Sequence, residues 1–174
     1  LAKAQDKAVS SFRKATGASA KYNTEITQLE RRNFAFGVTV EESEKAVGAL
    51  FSQLSAFTQM APGTRAALED TTALLQELGV DAGVTANILD KTIRATGMSA
   101  EGSRDLLLDL AGTATDLEVP INKLAKDFEQ SFGALAKYGT EATEVFKGLA
   151  VQAKNSGLEM SQLLKIAGQF DKFD

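Results

Sequence analysis

Carboxylates are the side chains of this sequence best able to do chemistry, and they come in groups: Glu41, Glu42 and Glu44; Asp105 and Asp109; Glu141 and Glu144. Two carboxylates one helical turn apart can exchange a proton or hold a divalent cation. Their positions favour a simpler duty. Glu41, Glu42, Glu141 and Glu144 fall in what read as first turns of helices, where the helix dipole favours negative charge. Asp105 and Asp109 flank Leu106 to Leu108 as the wet side of an apolar stripe. The remaining catalytic repertoire is thin. With no His and no Cys, the chain lacks the commonest general base, the usual zinc ligands and any thiolate or disulfide. No two glycines stand at i and i+2, and none precedes Lys-Ser or Lys-Thr, so no phosphate-cradling loop is encoded. The residue types predict neither an enzyme nor a bound cofactor or metal.

The elements that carry these groups read as helices throughout. A chain of 174 residues, 44% of them apolar and 24% charged, is long enough to bury a sizeable core in one or two domains. Apolar residues recur at steps of three and four, which stacks them on one helical face. The longest stripe runs Ile121, Leu124, Ala125, Phe128, Phe132, Leu135, Tyr138. Val47, Leu50, Phe51, Leu54 and Phe57 form another; Leu68, Leu75 and Leu78 a third; and Leu163, Leu164, Ala167 and Phe170 close the series. No sustained alternation marks a half-buried strand. The expected fold is all-α: about seven or eight short amphipathic helices over residues 37–174, preceded over residues 1–36 by a longer polar helix or a pair of helices.

A short phrase repeats where helices meet. Gly37-Val38-Thr39, Gly79-Val80-Asp81, Gly97-Met98-Ser99 and Gly157-Leu158-Glu159-Met160-Ser161 each place a glycine, an apolar residue and a side chain able to cap. Glycine takes the left-handed conformation that ends one helix; Thr, Asp or Ser then accepts an exposed amide of the next. Thr39 with Glu42 matches a capping box. Gly139-Thr140 is a shortened version, Pro120 reads as a first helical position, and Pro62-Gly63-Thr64 makes a further break.

Apolar positions are sparse in residues 1–36 (Val9, Phe12, Tyr22, Ile26, Leu29), so this lead should need a partner to be ordered. Phe34 and Phe36 at its end read as an anchor onto the next helices. They join Leu50, Phe51, Leu54, Phe57, Phe128, Phe132, Phe170 and Phe173 as candidate packing or partner surface. Charge is uneven: residues 1–32 carry +4 and residues 33–119 carry −8, and the two could attract within a chain or between copies. An overall charge of −4 and no Arg/Lys stripe interleaved with aromatics argue against nucleic-acid binding. Residues 46–64 contain no charge, which suits a core helix and, as an alternative, a helix sharing its polar face with others in a membrane. The chain starts at Leu1 and stops just after an apolar pattern through Phe170 and Phe173, so it reads as a segment of a longer polypeptide.

The run from Gly37 to Phe173 resembles the helical part of the tail tape measure proteins of tailed bacteriophages. The likeness is carried by Phe34-Ala35-Phe36-Gly37-Val38-Thr39, Gly79-Val80-Asp81 and Gly97-Met98-Ser99-Ala100-Glu101. It continues in Ala125-Lys126-Asp127-Phe128, Gly157 to Ser161, and Gln169 to Phe173. The resemblance implies a virion protein, assembled in the host cytoplasm, that fills the tail tube and sets tail length. It implies contacts with tube and tail-tip hub or baseplate proteins, homo-oligomerisation, and exit ahead of the DNA, with any membrane encounter only after release. No catalytic residue belongs to the pattern, and the muramidase or peptidase domains of some relatives have no counterpart here. Glycine joints depart from a ruler, which works by a fixed rise of about 1.5 Å per residue. A compact terminal or hub-proximal part, or one that rearranges after release, is the better match. An unrelated α-helical interaction or pore-forming module is the alternative.

Overall fold

The computed structural model describes residues 2–18 and 20–170. It is all-helical, with nine α-helices and no strand among the described residues. They are α1 (Ala2–Thr16), α2 (Lys21–Asn33), α3 (Val40–Gln53), α4 (Pro62–Glu77), α5 (Ala82–Thr96), α6 (Ala100–Asp116), α7 (Ile121–Leu135), α8 (Ala142–Ser156) and α9 (Met160–Phe170). Short 3-10 turns cover Phe34–Phe36, Phe57–Gln59 and Ala136–Glu141. Seven α-helices therefore follow residue 37, and the lead is a pair of helices of 15 and 13 residues, not one long helix. Every helix is short enough to be marginal alone in water, so packing must supply the stability.

The chain divides into two compact units, Leu1–Asp90 and Lys91–Asp174, with the boundary inside α5. The break drawn from composition at residues 36 and 37 is not where the contacts divide. In the first unit α3 packs against α1, α2 and α4, and α2 also packs on α4. The lead is thus built into a core: Phe12, Ile26 and Leu29 are fully buried, and Tyr22 nearly so. Its few apolar residues suffice because they converge. Phe12, Tyr22, Phe51 and Phe57 form an aromatic cluster with ring centroids 5.0–6.3 Å apart, at tilted, edge-on and stacked angles.

The charge-free stretch 46–64 is not one helix. Helix α3 ends at Gln53, Leu54 turns extended, Phe57–Gln59 makes a 3-10 turn, and α4 starts at Pro62. Leu54 and Phe57 are buried within that connection. Pro62 is placed where its missing N–H costs nothing, at the start of a helix. No described helix is long and apolar enough to cross a membrane.

In the second unit α7 is central, packing against α6, α8 and α9. Phe128 meets Phe132 at 5.9 Å and Phe146 at 4.9 Å, both edge-on, with Leu124 and Leu135 buried beside them on the same stripe.

Candidate functional site

The joints are the features the sequence singled out, and most have the expected hydrogen bonds. At the end of α4 the Val80 N–H donates to Leu75 O and the Gly79 N–H to Gln76 O, both at 2.8 Å. With Gly79 at φ 89° and Val80 buried, this is the left-handed helix stop in which the apolar residue folds back. Asp81 Oδ1 then accepts from Gly83 and Val84 and caps α5. Thr39 and Glu42 make the reciprocal capping box, which holds the Glu42 carboxyl below its usual range. Ser99 accepts from the Gly102 N–H at 3.0 Å. Gly37, Gly97 and Gly157 share the left-handed conformation of Gly79.

Three joints differ from expectation. Ser161 does not cap: α9 begins one residue earlier at Met160, and Glu159 stands outside it, its N–H donating to Gln162 Oε1 at 2.9 Å. Ser161 is an exposed first-turn residue. Gly139 lies in a kink at φ 56°, ψ −124°, a conformation that side-chain-bearing residues rarely adopt, and Glu141 precedes α8 without a side-chain cap. The side chains of Thr140 and Phe170, and all of Phe173, lie outside the described residues. Between α6 and α7 the left-handed position is held by Glu118 (φ 52°). Its N–H bonds Thr115 O at 3.0 Å and the Val119 N–H bonds Ala114 O at 2.9 Å, the glycine-type stop built without glycine. Pro120 precedes α7 as its cap residue rather than entering it.

Of the candidate surface residues, Leu50, Leu54, Phe57, Phe128 and Phe132 are core, and Phe51 is half-buried in the aromatic cluster. Phe34 and Phe36 are the opposite of an anchor, being 73% and 65% exposed. The chain turns at Phe34–Phe36 while neighbouring Asn33 and Val38 do the inward packing, which leaves both rings in solvent. Leu78, read as part of a core stripe, caps α4 and is 60% exposed.

Of the carboxylate groups, Asp105, Asp109 and Glu144 are engaged in ion pairs. Lys147 joins Asp109 on α6 to Glu144 on α8, Asp105 pairs with neighbouring Arg104, and Lys123 bridges Asp127 and Glu159. Hydrogen bonds to these carboxylates push both lysines above the ordinary ammonium range. Lys123 and Asp127 also line a cavity of about 210 Å³ in the second unit, whose apolar wall includes Leu117, Leu124, Ala150, Ala153 and Met160.

One charged cluster was missed because its residues are scattered in sequence. On α4, Arg65 and Glu69 lie one turn apart and both point inward. Arg65 Nη2 meets Glu25 Oε1 of α2 at 2.5 Å, Arg65 Nη1 donates to Met60 O, and its guanidinium sits 6.0 Å over Phe57. The Glu69 side chain is 1% exposed, with Oε2 3.3 Å from Arg32 Nη2. Arg32 also bonds Asp70, which accepts from Asn33 at 2.6 Å. Glu25 Oε2 and Glu69 Oε1 are buried without a conventional donor. Burial first, then the hydrogen bond and charge of Glu25, push Glu69 up to about 8. A neutral Glu69 donating to Glu25 gives both orphan oxygens a partner. The available signal was the four-residue spacing of Arg65 and Glu69 beside Leu68.

Among the described residues no group of three or more metal-ligating side chains occurs. Comparison with known proteins gave no match: no family model, no curated protein and no solved structure is similar to this chain.

Proposed function

We propose that this chain is a structural, non-enzymatic part of a phage tail tape measure protein. In this reading it belongs to the compact, hub-proximal or terminal region and not to the extended measuring stretch. The joint phrases quoted above support the family. One observation carries the choice within it: the longest described helix has 17 residues, about 26 Å at 1.5 Å per residue, and left-handed joints interrupt the series. Such a segment would sit in the tail lumen, meet tube and hub or baseplate proteins, associate with copies of itself, and leave with the tape measure during DNA ejection.

The test is an in-frame deletion of residues 91–174 in the phage that encodes the chain, with tail length measured by electron microscopy and tail content by peptide mass spectrometry. The expected result is a protein present in purified tails whose length is nearly unchanged. Shortening of about 1.5 Å per deleted residue would overturn the compact assignment, and absence of the peptides from tails would overturn the family reading. The exposed Phe34 and Phe36 favour a second reading, a helical interaction module unrelated to tails.

A further inference from the structure

We infer that the second unit holds a binding site for one small, uncharged aromatic molecule, a single ring or two fused rings, in the cavity between α7, α8 and the joints that flank them. The site does not depend on the tail reading. Its lining falls wholly between residues 117 and 160, inside one unit. The sequence of α8 explains why space is left there. Phe146 meets Phe128 at 4.9 Å, and the same face of α8 continues at Ala150, Ala153 and Gly157, at helical spacing. A large ring closes the contact at one end, and three small residues leave it open at the other. Opposite them stands Leu124 of α7, and the joints bring Leu117 and Met160. The result is a cavity of about 210 Å³ with a mostly apolar wall.

Size and wall choose the occupant. An apolar cavity of roughly 150 Å³ accommodates benzene, whereas drug-sized ligands need roughly 300–1,000 Å³. The volume here falls between the two, which suits a single ring or a fused pair. Met160 is 3% exposed and belongs to the lining. It favours a ring over an alkyl chain, because a thioether attracts aromatic edges.

The charged residues of the lining argue for a neutral ligand. They are Lys123, Asp127, Lys154 and Glu159, two of each sign. Lys123 Nζ lies 2.8 Å from Asp127 Oδ2 and 3.1 Å from Glu159 Oε2, so three of the four already satisfy one another. Lys154 is exposed in the last turn of α8, where a cation offsets the helix dipole. An anion would meet only that solvated ammonium, and a cation would have to displace Lys123. Neither would regain the hydration lost on entering an apolar wall.

The experiment is an NMR titration of the full chain, isotopically labelled at the methionine methyls, with indole up to about 5 mM. Of the three methionines only Met160 lines the cavity, so Met60 and Met98 are internal controls. The Met160 methyl should shift and saturate with a dissociation constant between roughly 50 μM and 1 mM, as suits about nine heavy atoms. The two control signals should stay in place. Ala153→Leu, which puts an isobutyl group into the space on a good helix former, should weaken binding at least about tenfold with an unchanged circular dichroism spectrum. Tryptamine and indoleacetate, which add a charge to the same ring, should bind several-fold more weakly than indole. The wild-type titration and these two analogues decide the matter even if Ala153→Leu unfolds. A Met160 signal that does not move, a drift of all three methyls without saturation, binding indifferent to a folded Ala153→Leu, or tighter binding of a charged analogue would each overturn the proposal.

Discussion

In the first unit the aromatic cluster of Phe12, Tyr22, Phe51 and Phe57 lies beside buried charge, with Arg65 over one ring and Glu69 sealed from solvent. In the second, Phe128, Phe132 and Phe146 form an equivalent cluster, but the buried polar side chains among the described residues are only Thr92, Ser103 and Ser131. Its ion pairs, at Lys91, Arg104, Lys123 and Lys147, are on or near the surface, where pairs contribute little. The second unit instead holds a strained backbone position at Glu118, the one positive-φ residue other than glycine among the described residues. Similar helices joined in similar ways thus give one unit whose stability responds to protons and another whose stability responds to joint residues.

The largest test of that contrast truncates each aromatic core. Phe12→Ala and Phe128→Ala should each cost about 3–5 kcal/mol, because a fully buried ring leaves a cavity its neighbours only partly close. Hydrogen exchange by mass spectrometry, read separately over residues 2–90 and 91–170, should show protection lost in the mutated unit alone. Loss in both would merge the two units into one cooperative body and remove the comparison.

A smaller effect sharpens it. Glu69 keeps its proton in the folded unit up to about pH 8, whereas in the unfolded chain it releases it near 4.5. Between those values the folded state binds more protons, so stability falls as pH rises through the window and levels off above it. The expected loss in the first unit is on the order of 2–4 kcal/mol from pH 4.5 to 8. Glu69→Gln, which stays neutral and keeps a donor for Glu25, should flatten the profile and exceed the wild type in urea midpoint at pH 8. An unchanged profile would remove the shared proton from the account. The second unit should show no such slope in either protein.

The smallest effect is the converse. Glu118→Gly should stabilise the second unit by about 0.5–1 kcal/mol, since relief of the left-handed side-chain clash exceeds the extra entropy glycine loses on folding. The gain should be independent of pH and visible in the thermal midpoint; a loss would mean the Glu118 side chain contributes more than its backbone costs.

Much of the fold was legible because helix periodicity and joint phrases are local signals. Thr39 with Glu42, Gly79 with Asp81, and Ser99 each act within four residues of their own position, and each makes its expected bond. The lead segment was misjudged because its sparse apolar residues gain their worth from α3, which no local pattern reveals. Phe34 and Phe36 were read as inward for the opposite reason: hydrophobicity alone does not say which way a 3-10 turn faces. Ser161 lost its role to a one-residue shift in where α9 starts. The spacing of Arg65 and Glu69 was there to be read, but their partner Glu25 was not, because Arg65 and Glu25 stand 40 positions apart.

Both prolines stand at helix starts, Pro62 as the first residue of α4 in the first unit and Pro120 as the cap residue of α7 in the second. Glycine joints can relax into right-handed backbone if the chain is ever drawn out, but a pyrrolidine ring obstructs the helix running into it. Straightening would therefore yield three rods of roughly 80–90 Å each, angled at two fixed elbows. Those elbows would serve as landmarks for tracing the polypeptide in low-resolution density.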